Sequence, residues 1–384
     1  MLGGRTVTRM KPLSLPDRLQ ALADKGVQLV DERQVFVDAD VALERIYPGS
    51  VLYPGTRISG ANTLLAPGAK IGSEGPATIV DCAIGEDAEI ASGFVTGAVL
   101  LNKAKIGANG HVRAGTLLEE EASTAHAVGL KHTILTSFVT LGSLINCCDC
   151  LISGGRSRAN HTEIGSGFIH FNFTPWGDKG DKATPSLIGS VPRGVLLREE
   201  RIFIGGLSGM VGPVKVGFGT FTVAGQIVRT DVADKRVHSE VARKIDAPWD
   251  FRHRGLTEPR VERNLEYIGN LVALRAWYTD VRKAQLTPEQ AASHLGQTWD
   301  AAIGVLDDGI AERTARLQQF LSAKAIALPP LRFPSIACPL QIVPGAEPYD
   351  HIAWVKNLSG NEVKLATEWL QEIVETFVQA NRIS

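Results

Sequence analysis

An aliphatic residue followed at once by glycine recurs down the middle of this chain. Ile71-Gly72, Ile84-Gly85, Ile106-Gly107, Ile164-Gly165, Ile188-Gly189, Ile204-Gly205 and Val216-Gly217 are the clearest instances. Such a step at short intervals is the signature of a hexapeptide solenoid. The aliphatic side chain is expected to point into a narrow core, and the glycine to turn a corner at positive φ. Coils of this kind bury a face only by stacking on one another. The alternative is a sandwich of glycine-terminated strands. The steps persist from about Tyr47 to Val232 without helical periodicity, which favours the solenoid.

The totals agree. Glycine is abundant at 39 of 384 residues and methionine scarce at 3, as corners and a narrow aliphatic core require. A formal net charge of −1 argues against a nucleic-acid partner. No apolar run is long enough to span a membrane. Arg5 and Arg9 are not followed by the apolar stretch of a secretory signal. Five cysteines, three of them in Cys147-Cys148-Asp149-Cys150, do not form a secreted disulfide framework. The expectation is a cytoplasmic protein with free thiols. Strand alternation places Cys148 and Cys150 on one face and Cys147 on the other. A zinc site would need a second cysteine pair, and Cys82 and Cys338 are isolated, so thiols filling the core are expected and no metal.

The chain divides into four parts. Residues 1–45 are a lead-in. In it Leu15-Pro16-Asp17 starts a short helix that Gly26 stops, and Val27–Val30 and Val35–Val37 alternate like strands. The stretch from Gly3 to Met10 faintly resembles the glycine-rich phosphate loop of sugar nucleotidyltransferases, but the strand and α/β domain such a loop needs are not in view. Residues 46–232 are the solenoid and 233–257 a polar linker. Residues 258–384 are helical, with apolar stripes through Leu265, Ile268, Leu271 and Val272, through Trp299, Leu306, Ile310 and Leu317, and through Ala366, Leu370, Ile373 and Phe377. These stripes are packing faces for the solenoid or for a neighbouring subunit. A charged loop rich in glycine and proline, from Pro175 to Pro185, interrupts the solenoid, and such loops are usually functional.

Four stretches carry a family resemblance: Leu22–Asp31, Val112–Lys131, Ile169–Phe173 and Ile202–Val232. Together they resemble the acetyltransferase half of the bacterial bifunctional N-acetylglucosamine-1-phosphate uridyltransferase/glucosamine-1-phosphate acetyltransferase. The resemblance implies a mainly β fold, a left-handed parallel β-helix, here joined to an α-helical C-terminal domain without a counterpart in the family. It implies a homotrimer with sites between subunits and acetyl-CoA along the coils as co-substrate. The partner would be a small sugar phosphate or nucleotide sugar. The nucleotidyl-transfer half has no matching part in this sequence.

The resemblance also nominates residues. Arg113 and Lys131 fall where the family grips the sugar phosphate. Ser157-Arg158-Ala159-Asn160-His161 reproduces the step that carries the family's base, which would make His161 that base. The family's spacing from Lys131 nevertheless lands on Ser143. His161 lies 18 residues further, one full turn if three six-residue sides make a coil. Either a coil has been inserted or the base is lost. Asn172 and Phe173 match an Asn-Tyr pair, without the tyrosine hydroxyl. Gly206, where the family has a serine, and Ala224 would line the cofactor. Trp176, Lys179 and Lys182 of the interrupting loop are candidate ligands for a base and phosphate. His170 is a second candidate base, while His111, His126 and His132 read as surface residues. A relative that has lost catalysis and still binds a sugar nucleotide, or serves as a scaffold, is the second reading.

Overall fold

A computed structural model describes residues 13–175, 180–241, 244–250, 257–345 and 349–383. The chain winds into a parallel β-solenoid with three faces. The first face is an eleven-stranded parallel sheet running from Gln28–Leu29 to Val237–His238. The lead-in strands are therefore already part of the first coil: Gln28–Leu29 pairs with Val51–Leu52, and Phe36–Val37 with Arg57–Ile58. The second face climbs through Arg57–Ser59, Ala77–Val80, Gly93–Thr96 and Gly110–Val112. The third climbs through Leu64–Leu65, Ala83–Ile84, Ala98–Leu100 and Thr116–Leu118. Two seven-residue strands, Gly129–Leu135 and Asn146–Ile152, bend round the edge between these faces and join them into one sheet.

Corner chemistry differs from the expectation in one respect. Gly72 and Gly189 do adopt positive φ, but Gly85, Gly107, Gly165, Gly205 and Gly217 do not. The left-handed residue falls two positions later, at Asp87, Asn109, Gly167, Leu207 and Gly219. The glycine of the repeated step is required for another reason. A Cβ on Gly107 would stand 2.5 Å from the Ala125 carbonyl oxygen, and one on Gly205 2.4 Å from the Ala224 nitrogen. The coil above sits too close for any side chain at that position.

Inside the solenoid, Ile58, Ile71, Ile90, Ile106, Leu130, Leu141, Ile164 and Ile204 form one continuous apolar column. The third face is apolar on its outer side as well, through Leu64, Ala83, Val99, Leu117, Ile134, Leu151 and Leu187. A parallel sheet with two apolar sides needs a second layer. The helices supply it. They are α2 (Val191–Gly194), α3 (Thr257–Ala276), α4 (Pro288–Ala292), α5 (His294–Ser322), α6 (His351–Asn357) and α7 (Gly360–Ala380), whereas α1 (Leu15–Asp24) packs on the first-coil strands and joins the inner core. α5 lies across the third-face strands, and α3 packs on α5 and α7. The stripes read from the sequence are thus spent on the chain's own solenoid: Leu265, Leu271, Leu306, Leu317, Leu370 and Phe377 are all buried there. α7 opens on a capping box between Ser359 and Glu362.

The helical layer is also pinned by buried charge. A six-residue π-turn, Trp277–Arg282, continues α3 and carries Arg282 into the interface. Its guanidinium lies 2.7 Å from Glu120 and 3.2 Å from Glu119, all three almost fully buried. Tyr278 donates to Glu119 at 2.8 Å, and the Tyr278 and Trp299 rings flank the guanidinium. Burial, partly offset by the Arg282 charge, pushes the Glu119 carboxyl up.

Candidate functional site

The column of cations lies on the outer side of the second face. Arg113 and Lys131 stand on consecutive coils, because Val112 pairs with Leu130. Cys148 follows on the next coil, in register with Lys131. Arg113 reaches past Lys131 to within 3.8 Å of the Cys148 sulfur. Among the described residues neither cation is in an ion pair. Burial pushes the Cys148 thiol up. Strand parity fails at this point: Asp149 takes φ 60° and turns the corner, so Cys147 and Cys150 both enter the core while Cys148 faces outward.

Beside this column, at the edge between second and third faces, His132, Asp149 and Asn172 stack coil on coil. Asn172 donates to Asp149 at 2.8 Å. Asp149 is held from the other side by Arg313 of α5 at 2.9 Å, and both side chains are buried. Glu312, also on α5, lies 4.0 Å from His132 and pairs with Arg316. Burial pushes the His132 imidazole down. The helical layer therefore forms one wall beside the candidate phosphate ligands. Sequence reasoning missed Asp149 and Arg313, although both left a signal. Asp149 breaks a run of core residues, and Arg313 sits in the apolar stripe between Ile310 and Leu317.

The interrupting loop returns to this same edge. Thr174 and Asp181 bridge its base, and Asp181 is paired with Arg260 of α3. Phe173 is half exposed and packs against Gly180. Lys182 is exposed, and its carbonyl accepts from Arg313. Trp176 and Lys179 lie outside the described residues, as does the Gly3–Met10 stretch.

The edge between first and second faces is a different ridge. Successive backbone bonds run up it: Leu144 N–H to the His126 carbonyl, Gly167 to Ser143, Leu207 to Ser166, and Gly225 to Gly206. Gly206 and Ala224 thus share a ridge with Ser143, the position where the family spacing expects its base. Ser143 Oγ and His126 Nδ1 lie 3.0 Å apart, and the Ser143 N–H donates to Ser166 Oγ.

The structure does not bring His161 to either group. It stands on a small antiparallel hairpin, Gly155–Ser157 with Asn160–His161, at the edge between third and first faces. The expected inserted coil is this hairpin, not a stacked turn. His161 Nδ1 is 2.7 Å from the Arg158 carbonyl, and Nε2 is 3.7 Å from Glu163. Within one chain it faces neither Arg113 nor Lys131. His170 is corrected more sharply: it points into the core, where Nδ1–H donates to the Cys148 carbonyl at 2.6 Å and Nε2 meets Ser186 Oγ at 2.8 Å. Ser186 Oγ already accepts the Val214 N–H, so its own proton is turned toward Nε2. Burial pushes His170 down to about 4.

Higher up the solenoid, a cavity of about 670 Å³ opens beside Arg201, Phe203, Phe221 and Lys235, with the two rings stacked 5.6 Å apart. Among the described residues no helix is long and apolar enough to cross a membrane.

No protein-family model matches the chain. Curated proteins named bifunctional protein GlmU do match. The one from Fervidobacterium nodosum is 29% identical over 231 residues, 59% of this chain and 44% of that protein. The one from Micrococcus luteus is 31% identical over 208 residues, 54% and 36% of the two chains. The one from Nocardia farcinica is 27% identical over 230 residues, 60% and 41%. The chain spans less than half the length of these relatives. The β-solenoid of this chain fits the hexapeptide acetyltransferase half of that bifunctional protein, and it is to that half that the chain is similar.

Proposed function

We propose that this chain transfers an acetyl group from acetyl-CoA to the amine of an amino-sugar phosphate. The observation that carries the reading is the pair Arg113 and Lys131. Two cations on consecutive coils, facing outward and lacking an acidic partner among the described residues, suit a phosphate dianion. The similarity to bifunctional GlmU proteins supports the same substrate class. Acetyl-CoA would lie along the ridge that carries Gly206 and Ala224, beside the exposed side chains of Leu144 and Leu207. Asn172, fixed by Asp149, would offer its side-chain carbonyl to the acceptor amine. Phe173, Lys182 and the loop residues Trp176 and Lys179 would border the sugar. The reaction is balanced without a further reagent. The amine nitrogen bonds to the thioester carbonyl carbon, the C–S bond breaks, and the amine's proton ends on the CoA thiol. Assembly as a homotrimer in the cytoplasm belongs to this reading.

Release of free thiol from acetyl-CoA on adding glucosamine 1-phosphate tests it. Arg113→Ala is expected to raise KM for the sugar phosphate about tenfold or more, at little change in kcat, because it removes a charge-assisted contact to a group remote from the reacting atoms. No thiol release with any amino-sugar phosphate would defeat the reading. Ser143 and Gly206, standing where the family has a histidine and a serine, favour a second reading. In it the chain binds a sugar nucleotide and performs no chemistry, so UDP-N-acetylglucosamine would bind to a chain that never releases thiol.

A further inference from the structure

We infer that His126 is the base of this site and that Ser143 positions it. The inference rests on the acetyl-transfer reading and supplies the group that reading leaves open. A base for this step needs an imidazole nitrogen that is unengaged, exposed to substrate and on the same ridge as the thioester.

The histidines around the site separate cleanly on those terms. Both nitrogens of His170 are bonded inside the core. His132 is half-buried, with Glu312 beside it and its Nδ1 enclosed against Gly115. His111 is exposed too, but it stands on a second-face strand, stacked on Phe94 and off the ridge. His161 is on another edge, with one nitrogen at a carbonyl and the other beside Glu163. His126 is exposed and sits on the ridge itself. Among the described residues its Nδ1 meets the Ser143 hydroxyl one coil above, and its Nε2 has no partner.

That one bond sets the ring's direction. The imidazole of His126 reaches up the ridge toward Ser143, the position where the family spacing expects a histidine. The assignment takes the tautomer in which Nδ1–H donates to Ser143 Oγ, which leaves the lone pair of Nε2 for the amine proton. Ser143 is in turn fixed through its backbone N–H to Ser166 Oγ at 3.0 Å. Two coils above Ser143 the ridge reaches Gly206, and three above it Ala224, at roughly 4.8 Å per coil. On the other side, His126 and Lys131 belong to the same coil, so the base and a phosphate ligand share one side of the prism. In the step, Nε2 takes the proton of the attacking amine as the N–C bond forms. It returns that proton to the sulfur as the C–S bond breaks.

The experiment compares thiol release by the full chain and its variants with acetyl-CoA and glucosamine 1-phosphate. His126→Gln is expected to lower kcat at least a hundredfold with KM for both substrates within about threefold, the range for loss of a general base. Ser143→Ala is expected to lower kcat about tenfold, and Ser143→Thr, which restores the hydroxyl, to recover most of it. Unchanged melting of each variant shows that the fold is intact, as the exposure of His126 implies. If His126→Gln keeps its kcat while His161→Ala loses it, the assignment to His126 is overturned and the acetyl-transfer reading stands. If the wild-type chain releases no thiol, both are overturned.

Discussion

His170 is held neutral by its surroundings. The carbonyl on one side and the serine hydroxyl on the other match the uncharged ring, and burial lowers its affinity for a proton to a pKa of about 4. An unfolded histidine titrates near 6.5. Between those two values the unfolded chain binds the extra proton and the folded chain does not. The stability it contributes is complete above about pH 6.5 and is lost as pH falls through that window, at roughly 1.4 kcal/mol per pH unit. His132 and His351 are shifted in the same direction by burial. Urea unfolding of wild-type and His170→Gln between pH 7 and 4 separates the terms. The variant is expected to be less stable at pH 7 and to show an acid limb shallower by about one proton. Parallel limbs would mean His170 is already charged in the fold. None of this was legible in the sequence, where Ile169-His170-Phe171 gives no sign of which side faces inward. Asn172 was legible as a motif, but its anchor Asp149 and the Arg313 behind it are joined only by the fold.

At the scale of elements, the repeat was legible because each coil must place an aliphatic side chain inward and tolerate a close neighbour at the next residue. The sequence shows that glycine is needed there; it does not show whether dihedral freedom or clearance is the cause. The structure separates the two. Gly205 has an ordinary φ and no room for a Cβ. Gly205→Ala is therefore expected to destabilise the chain by about 1–3 kcal/mol, through displacement of the coil carrying Ala224. The same change at Gly225, which has positive φ and nothing within 4 Å of its Cβ, is expected to cost only about 1 kcal/mol from backbone strain. Chemical unfolding distinguishes them, and equal losses would contradict the clearance argument. The helices were legible from their stripes. The hairpin carrying His161 was not, because Ser157–His161 has the composition of one more solenoid step.

For the whole molecule, the apolar outer side of the third face is what the helical region is for in structural terms. Leu64, Val99, Leu117, Ile134, Leu151 and Leu187 are covered by the helical layer, in which α5 crosses the strands and α7 packs against α3. In sequence the stripes suit the solenoid and a neighbouring subunit equally. That could not be decided from sequence, since both partners present the same aliphatic surface. A chain ended at residue 241 is expected to expose that side and to associate into large particles by light scattering, whereas the full chain stays small; an equally small truncated chain would contradict the covering role. The helices also bring Arg313 and Glu312 to the edge beside Lys131, so one layer both seals the solenoid and walls the candidate site. The central claim is that a cationic column on one face and the ridge on the adjoining edge hold the two halves of one reaction. A crystal structure with CoA and glucosamine 1-phosphate tests this most directly. The account predicts the phosphate between Arg113 and Lys131, with the thiol end of CoA on the ridge between Ser143 and Gly206. Phosphate density elsewhere, or CoA bound away from that ridge, would contradict it.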